Sequence, residues 1–157
     1  VPHINTADEA REVVQAVKFP PIGSRGSPGG LARQAIGVDR FPAKANDETM
    51  IVVLIEDILA VNNLKEILEV DHIDVFYVAP GDLAQSMGLL GQMNHPEVLK
   101  TVDNALIQIQ DAGRVAGTLV NDDSVEFYLE KGVKFVTTSI APWLEKGAKD
   151  FLVRCNK

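Results

Sequence analysis

Apolar residues along the chain follow two spacings, one typical of buried strands and one typical of amphipathic helices. A continuous β-branched run over 50–55 and a second run over 73–78, which contains Asp74, predict strands buried on both faces, as in a parallel sheet. Each run is followed by apolar positions at helical spacing, and the alternation continues toward the C-terminus. Further strands are predicted over 114–120 and 134–139, and helices over 58–68, 96–112, 124–131 and 142–153. This regular alternation predicts an α/β fold, wound as an open sheet or as a barrel.

The N-terminal region carries a helix signal. Thr6 begins the pattern T-x-x-E with Glu9, a capping box in which each residue satisfies a backbone N–H of the other. A short apolar run, 1–4, precedes it, and apolar residues recur at helical spacing up to Val17. We therefore expect a short strand that ends at Ile4, followed by a helix.

Residues 20–49 break both spacings. Prolines and glycines are frequent between Pro20 and Gly30, and little periodicity returns before Met50, apart from a short turn at 31–35. We predict a long loop over 20–49 within a single domain, 1–157. Long loops in compact domains are usually functional or mobile.

The number of strands limits the architecture. Strand ends are predicted at five places, which are Ile4, Glu56, Asp82, Val120 and Ser139. A complete (β/α)8 TIM-type barrel has eight strands in roughly 250 residues. We therefore expect the last half to two thirds of such a barrel. The chain begins at Val1 without Met or a signal peptide, and we expect this start to be a processing or cloning boundary.

Composition removes several classes of function. The 157 residues carry 15 Lys and Arg against 22 Asp and Glu, a net charge of −7, which disfavours nucleic acid and anionic membrane surfaces as partners. One cysteine, Cys155, cannot form an internal disulfide, and no apolar run reaches the ~18 residues of a membrane span. We expect a cytoplasmic protein.

Carboxylates follow two successive strands. Ligands bind at the carboxyl ends of the strands in barrels and open α/β sheets, so the residues that close the strands are the candidates for chemistry. Here they include Glu56, Asp82, the pair Asn121 and Asp122, and Ser139. Two carboxylates close together in a low-dielectric mouth need a proton or a cation between them. Oxygen ligands without a nearby thiolate or imidazole favour Mg²⁺ or Mn²⁺.

Structural roles compete with this hypothesis. Glu56 could be a helix-start carboxylate and Asp82 an N-cap. The histidines His3, His72 and His95 fit surface or capping positions better than a general base. Lys134 opens its strand, so an imine-forming lysine is disfavoured, and Ser139 lacks a nucleophile elbow.

Two further side chains have open roles. Arg25 lies in a glycine-rich stretch, 23–30, that fits a flexible loop better than a phosphate cradle but could still bind an anion. Trp143 fits a core or interface position better than a site.

The chain resembles the HpcH/HpaI family of class II pyruvate aldolases. The resemblance covers nearly the whole chain in order and spacing, and four segments carry it: P-P-I-G-S-R-G at 20–26, L-I-E at 54–56 with Ala60, Asn63, Glu66 and Ile67, A-P-G-D-L at 79–83 with Ser86, Met87 and Gly88, and H-P-E-V at 95–98. It implies a (β/α) barrel that cleaves or forms 2-keto-3-deoxy sugar acids and 4-hydroxy-2-oxo diacids, giving pyruvate and an aldehyde.

The resemblance also implies roles for individual residues. It assigns Glu56 and Asp82 as ligands of the divalent metal, and the backbone N–H groups of Gly81 and Asp82 as the cradle for the pyruvate carboxylate. The metal would stabilise the enolate that forms when the carbon–carbon bond breaks. The family's catalytic His and its enolate-stabilising Arg precede the matched region, so no catalytic residue is assigned. The resemblance further implies a small-molecule 2-oxo acid substrate and a homo-oligomer.

Two alternatives remain. A citrate-lyase-β-like lyase of acyl-CoA thioesters would share the barrel and the metal, and it would need basic residues for the CoA phosphates; Arg25, Arg33 and Arg40 are the candidates. A non-catalytic barrel fragment could instead act as an assembly element. We expect 1–157 alone to be inactive, and associated or poorly folded, because about five strands cannot close a barrel that needs eight.

Overall fold

The computed structural model describes residues 1–26 and 43–155. In this part of the chain, strands and helices alternate from β1 onward. The helices are α1 (Ala7–Val17), α2 (Ala43–Glu48), α3 (Ile58–Asn62), α4 (Leu64–Leu68), α5 (Pro80–Ser86), α6 (Pro96–Asp111), α7 (Val125–Glu130) and α8 (Ala141–Cys155). The strands are β1 (Val52–Ile55), β2 (Val75–Val78), β3 (Ala116–Leu119) and β4 (Phe135–Thr137).

The four strands form one parallel sheet in the order β1-β2-β3-β4. Neighbouring strands are joined through helices, as parallel pairing requires. The fold is the parallel α/β arrangement of a partial (β/α)8 barrel, which confirms the predicted fold class. The register aligns Leu54, Tyr77, Gly117 and Phe135 across the sheet.

One face of the sheet carries the hydrophobic core. Val53, Ile55, Phe76 and Val78 alternate toward this face and are completely buried against helical side chains such as Ile109. The opposite face is less covered, since Leu119 is 37% exposed and Leu54 and Phe135 are half-buried. This asymmetry corresponds to the two surfaces of a barrel wall, one facing the outer helices and one facing the interior.

The first residues lie beside β1. The Val1 ammonium group donates to the Val52 carbonyl at 2.6 Å, and the Leu54 N–H donates to the Val1 carbonyl at 2.9 Å. Residues 1–4, predicted as a strand, make these bonds without forming a regular strand. The capping box is confirmed, because Thr6 Oγ1 accepts the Glu9 N–H while Glu9 Oε2 accepts the Thr6 N–H.

Helix α2 lies inside the segment predicted as a long loop. Its six residues are too few to show a helical period in the sequence. The Lys18 ammonium group, almost completely buried, donates to the carbonyls of Asn46 and Thr49 at 2.6 and 2.7 Å, and so caps the C-terminal end of α2. The turn predicted at 31–35 falls outside the described residues.

A second difference concerns the helix predicted over 58–68. The structure divides it into α3 and α4 at Asn63, where the backbone leaves the helical region at φ −96° and ψ 6°. The Asn63 side-chain amide donates to the Asn5 carbonyl at 2.9 Å, a contact that fixes the break. None of the helices within the described ranges is long and apolar enough to cross a membrane.

Candidate metal centre

Glu56 is buried directly after β1. Only 4% of its surface is exposed, and its Oε1 accepts the backbone N–H of His3 at 2.8 Å. The helix that follows uses Asp57 as its N-cap, whose carboxylate accepts the Leu59 N–H at 2.8 Å. The interpretation of Glu56 as a helix-start carboxylate is therefore wrong, because its neighbour performs that role. No Lys or Arg in the described ranges pairs with Glu56.

Asp82 lies at the corresponding end of β2. Helix α5 begins at Pro80 with Ala79 as its N-cap, so Asp82 is the third helical residue and the N-cap interpretation is wrong. Its side chain is exposed and makes no hydrogen bond to another described residue. A Cβ added to Gly81 would meet no atom within 4 Å, which leaves open space beside the turn.

The sheet brings the two carboxylates to the same edge. Ile55 pairs with Val78, so one residue further along Glu56 lies level with Ala79, three residues before Asp82. Across the described part of the chain, no three His, Cys, Asp or Glu side chains are grouped closely enough to hold a metal ion. The assignment of Glu56 and Asp82 as metal ligands thus stays a prediction.

His3 lies next to Glu56, a contact that the sequence analysis did not predict. Its Nδ1 lies 3.4 Å from Glu56 Oε1, and its side chain is 74% exposed. Its backbone adopts φ +55°, a left-handed conformation that is uncommon for residues other than glycine. The expectation that no imidazole lies near the carboxylates is therefore wrong. The sequence feature that could have indicated this contact was the position of His3 near the end of the apolar run 1–4, directly before Ile4.

The other two histidines lie elsewhere. His95 is the N-cap of α6, where its Nδ1 accepts the Glu97 N–H at 3.3 Å, which confirms a capping role. His72, with φ +65°, lies in the turn that leads into β2, at the end of the sheet away from Glu56.

Polar groups after β3 and β4 are used to build turns. Asn121 Oδ1 accepts the N–H groups of Asp123 and Ser124 at 3.0 Å each, and Ser139 Oγ accepts the Ala141 N–H at 3.3 Å. The Asp122 carboxylate accepts the Trp143 indole N–H at 2.9 Å and so ties α8 to the loop after β3. Trp143 is half exposed, so it is not a core residue.

Arg25 is bound to the C-terminal end of α1. Its guanidinium lies 4.8 Å from the centre of the Phe19 ring, and its backbone N–H donates to the Lys18 carbonyl at 3.0 Å. A Cβ on Gly23 would lie 2.4 Å from the same carbonyl, so a side chain cannot fit there. Residues 23–26 therefore close the end of α1, and the remainder of the glycine-rich stretch lies outside the described residues.

Two cavities lie at opposite ends of the sheet. One of about 300 Å³ opens at the carboxyl ends of β3 and β4 and is lined by residues including Pro80, Leu119, Tyr128 and Ser139. Another, of about 590 Å³, lies between the C-terminal ends of α4 and α6 beside Arg114. Ligands of barrels and α/β sheets bind at the carboxyl ends of the strands, and of these two cavities the first lies at that end, although neither Glu56 nor Asp82 lines it.

A pair of hydroxyl groups spans the interior face of the sheet. The Tyr77 hydroxyl on β2 and the Thr137 hydroxyl on β4 lie 2.6 Å apart, across β3. Gly117 on β3 makes this possible, because a Cβ there would lie 3.1 Å from the Tyr77 ring. Burial raises the pKa of Tyr77, and the bond to Thr137 partly opposes that increase.

Comparison with known proteins gives close relatives. The chain is 40% identical over 153 residues to 2-keto-3-deoxy-L-rhamnonate aldolase of Klebsiella pneumoniae subsp. pneumoniae, covering 96% of this chain and 57% of that protein. It is 41% identical over 144 residues to 4-hydroxy-2-oxo-heptane-1,7-dioate aldolase of Shigella sonnei, covering 89% of this chain and 55% of that protein. The chain thus spans about half the length of these curated relatives.

Solved structures agree with the sequence comparison. An HpcH/HpaI aldolase/citrate lyase family protein from Burkholderia cenocepacia superposes with a TM-score of 0.89 at 28% identity, over 99% of this chain and 63% of the other. An HpcH/HpaI aldolase from Desulfitobacterium hafniense gives 0.84 at 26% identity, over 98% and 61%. The sequence model of HpcH/HpaI aldolase/citrate lyase matches residues 1–141. The chain therefore belongs to the HpcH/HpaI aldolase/citrate lyase family.

Proposed function

We propose that this chain provides the metal-binding part of a class II aldolase, a divalent-metal-dependent carbon–carbon lyase. The substrates would be 2-keto-3-deoxy or 4-hydroxy-2-oxo acids, cleaved to or formed from pyruvate and an aldehyde. The names of the two curated relatives support this substrate class. The observation that carries the proposal is a buried carboxylate, Glu56, without a Lys or Arg partner in the described ranges, at the sheet edge it shares with Asp82.

The donor atoms fit a hard divalent cation. Glu56 Oε2 and both carboxylate oxygens of Asp82 have no hydrogen-bond partner among the described residues, so they are available as ligands. Carboxylate oxygens are the ligands that Mg²⁺ and Mn²⁺ prefer. When bound, such a cation would supply Lewis-acid stabilisation to the negative charge that develops on the 2-oxo acid as the carbon–carbon bond breaks.

The residues around the carboxylates would orient the substrate. The first N–H groups of a helix have no partner within the helix, and those of Gly81 and Asp82 are aimed away from α5. We propose that they bind the carboxylate of the 2-oxo acid in the open space beside Gly81. The His3 N–H would hold Glu56 in place. The proton transfer is assigned to no residue of this chain.

The geometry of Arg25 bears on the acyl-CoA alternative. An enzyme acting on CoA thioesters needs cationic groups for the phosphates, and Arg25 is already engaged with Phe19 and with the Val17 carbonyl at 3.4 Å. Arg33 and Arg40 lie outside the described residues. The aldolase is therefore the function that the described residues favour.

Metal binding can be measured on the chain itself. In a Mn²⁺ titration followed by electron paramagnetic resonance, Glu56→Gln and Asp82→Asn should each weaken binding by about 10-fold or more, since loss even of an outer partner costs about 10–100-fold. Asp57→Asn is the matched control: it alters the adjacent carboxylate and keeps a good N-cap. Equal Mn²⁺ affinity in all four proteins would refute the site.

We expect activity only from a longer polypeptide, one about as long as the curated relatives, of which this chain spans about half. This longer polypeptide should release pyruvate from a 4-hydroxy-2-oxo acid, and EDTA should remove the activity. Borohydride with pyruvate should leave it intact, because Lys134 lies before β4, at the end away from the carboxylates, and cannot form an imine there. Inactivation by borohydride would contradict the proposed class of aldolase.

A further inference from the structure

We propose that His3 Nδ1 is a third protein ligand of the divalent cation, beside Glu56 and Asp82. This inference rests on the proposed function, because it concerns the same metal site. It adds an imidazole to a centre that the sequence analysis described with oxygen ligands alone.

The distance between His3 and Glu56 fits two ligands of one ion. Nδ1 lies 3.4 Å from Oε1. Two ligand atoms about 2.1 Å from a shared ion are about 3.0 Å apart at an octahedral angle and about 3.4 Å apart at a tetrahedral angle. The two atoms therefore need little movement to bind the same cation.

The backbone of His3 creates this geometry. At φ +55° it directs both its N–H and its imidazole toward one carboxylate oxygen of Glu56, at 2.8 and 3.4 Å. A non-glycine residue rarely adopts this conformation, and such exceptions concentrate at binding sites. In His3 this backbone conformation places the imidazole next to Glu56.

The remaining donor atoms can complete the site. Glu56 Oε1 uses one lone pair for the His3 N–H, and Oε2 has no partner in the part of the chain described. Asp82 is exposed and not hydrogen-bonded to any described residue, so its side chain can rotate without breaking a hydrogen bond. In the described part of the chain the three side chains do not form a closed group, so a shared ion would require Asp82 to turn toward His3 and Glu56.

An imidazole ligand changes which metals the site prefers. Carboxylate and water ligands suit Mg²⁺, whereas imidazole suits transition metals better. We therefore expect Mn²⁺ and Co²⁺ to bind more tightly than Mg²⁺, and this preference should depend on His3.

The test compares His3→Gly with His72→Gly in the metal-free chain loaded with Mn²⁺. Both substitutions replace a left-handed histidine by glycine, which adopts that conformation freely, but only His3 adjoins Glu56. We expect His3→Gly to weaken Mn²⁺ binding by about 10-fold or more and Mg²⁺ binding by much less. His72→Gly should leave both affinities unchanged.

A spectroscopic measurement identifies direct coordination. Pulsed electron paramagnetic resonance of the Mn²⁺-loaded wild-type chain should show coupling to a directly bound imidazole nitrogen, and His3→Gly should lack it. Binding that depends on Glu56 without such coupling would overturn this inference and leave the proposed function intact. Binding that does not depend on Glu56 would overturn both.

Discussion

Glu56 places a carboxyl group in a position that is unfavourable for a charge. An ionised carboxylate loses several kcal/mol of solvation when buried, unless an opposite charge or several hydrogen bonds replace the water. Here one backbone N–H and one exposed imidazole contact it. The free-energy cost of burying this carboxylate therefore depends on whether a cation is bound.

The effect of Glu56→Gln on stability should accordingly change sign with metal. Glutamine keeps an oxygen for the His3 N–H and removes the buried charge, so the metal-free variant should be more stable by about 1 kcal/mol or more. With Mn²⁺ at 100 times its dissociation constant, the wild type should gain about 2.7 kcal/mol and the variant much less. Thermal unfolding of the wild type and of Glu56→Gln, in EDTA and in Mn²⁺, measures both differences in stability. A wild type that is more stable than Glu56→Gln in EDTA would contradict the prediction.

Alanine substitutions at Gly117 and at Gly147 should change the stability of the protein in opposite directions. At Gly117 a Cβ would lie 2.9 Å from the Phe135 carbonyl oxygen, and the neighbouring strand cannot move away without breaking the sheet, so we expect a loss of about 1–3 kcal/mol. At Gly147, inside α8, a Cβ meets nothing within 4 Å, and alanine should increase helix stability by up to about 1 kcal/mol. Urea unfolding followed by circular dichroism tests the pair. A Gly117→Ala midpoint equal to that of the wild type would contradict the close contact.

Tyr77 should make the protein less stable at alkaline pH. Burial raises its pKa above the usual 10.0, so the folded state keeps the phenol proton that the unfolded state loses. This contribution is complete below pH 10 and declines as the pH rises through the pKa of the folded state. Tyr77→Phe loses the bond to Thr137, about 0.5–1.5 kcal/mol at pH 8. The gap between the two urea midpoints should narrow above pH 10, and a gap that stays constant to pH 11 would contradict this.

At the scale of an element, α1 depends on its first turn. The Thr6 hydroxyl and the Glu9 carboxylate satisfy N–H groups that the helix itself cannot. Thr6→Ala should cost about 1 kcal/mol, measured by urea unfolding. Thr101→Ala is the matched control, because the Thr101 hydroxyl only donates to the Glu97 carbonyl within α6. That bond contributes little to a helix, so an equal loss in both variants would contradict the role of the cap.

Helix α8 shows that a regular element can form without a core contact of its own. No residue of α8 is buried, and its apolar side chains, which include Trp143, Leu144, Phe151, Leu152 and Val153, are all about half exposed or more. The helix is fixed to the rest of the molecule by the bond between Trp143 and Asp122. An exposed apolar surface of this kind is typical of interfaces.

At the scale of the whole molecule, we expect this chain by itself to associate. Besides α8, the edge of β4 is open, since β4 pairs only with β3 within the described ranges. Unpaired strand edges and apolar patches both favour contact with another chain. Sedimentation velocity should give a mass above the 17.0 kDa of one chain.

The double variant Leu144→Glu with Leu152→Glu should shift the chain toward monomer. Both side chains are exposed, so the charges should not disturb the fold. A wild-type chain that is already monomeric at tens of micromolar would contradict this prediction.

The sequence by itself determined the four strands of the sheet, their order and most of the helices between them. Apolar runs such as 73–78, interrupted only by Asp74, are typical of buried strands in a parallel sheet, and helical spacing indicates the helices between them. The places of Glu56 and Asp82 at strand ends follow from the same pattern, because a strand ends where its apolar run ends. These features depend on residues that are close together in the chain, so the sequence pattern is enough to predict them.

The tertiary structure alone decided what each side chain contacts. It placed His3 beside Glu56, 53 positions away, and connected Lys18 to a helix that the sequence analysis had taken as loop. It also made Asp57 the helix cap and left Glu56 buried. Such contacts depend on the register between strands and on a left-handed backbone at one residue, and neither leaves a periodic trace in the sequence. The pattern could therefore place a carboxylate at an edge of the sheet, while only the folded chain could show which groups surround it.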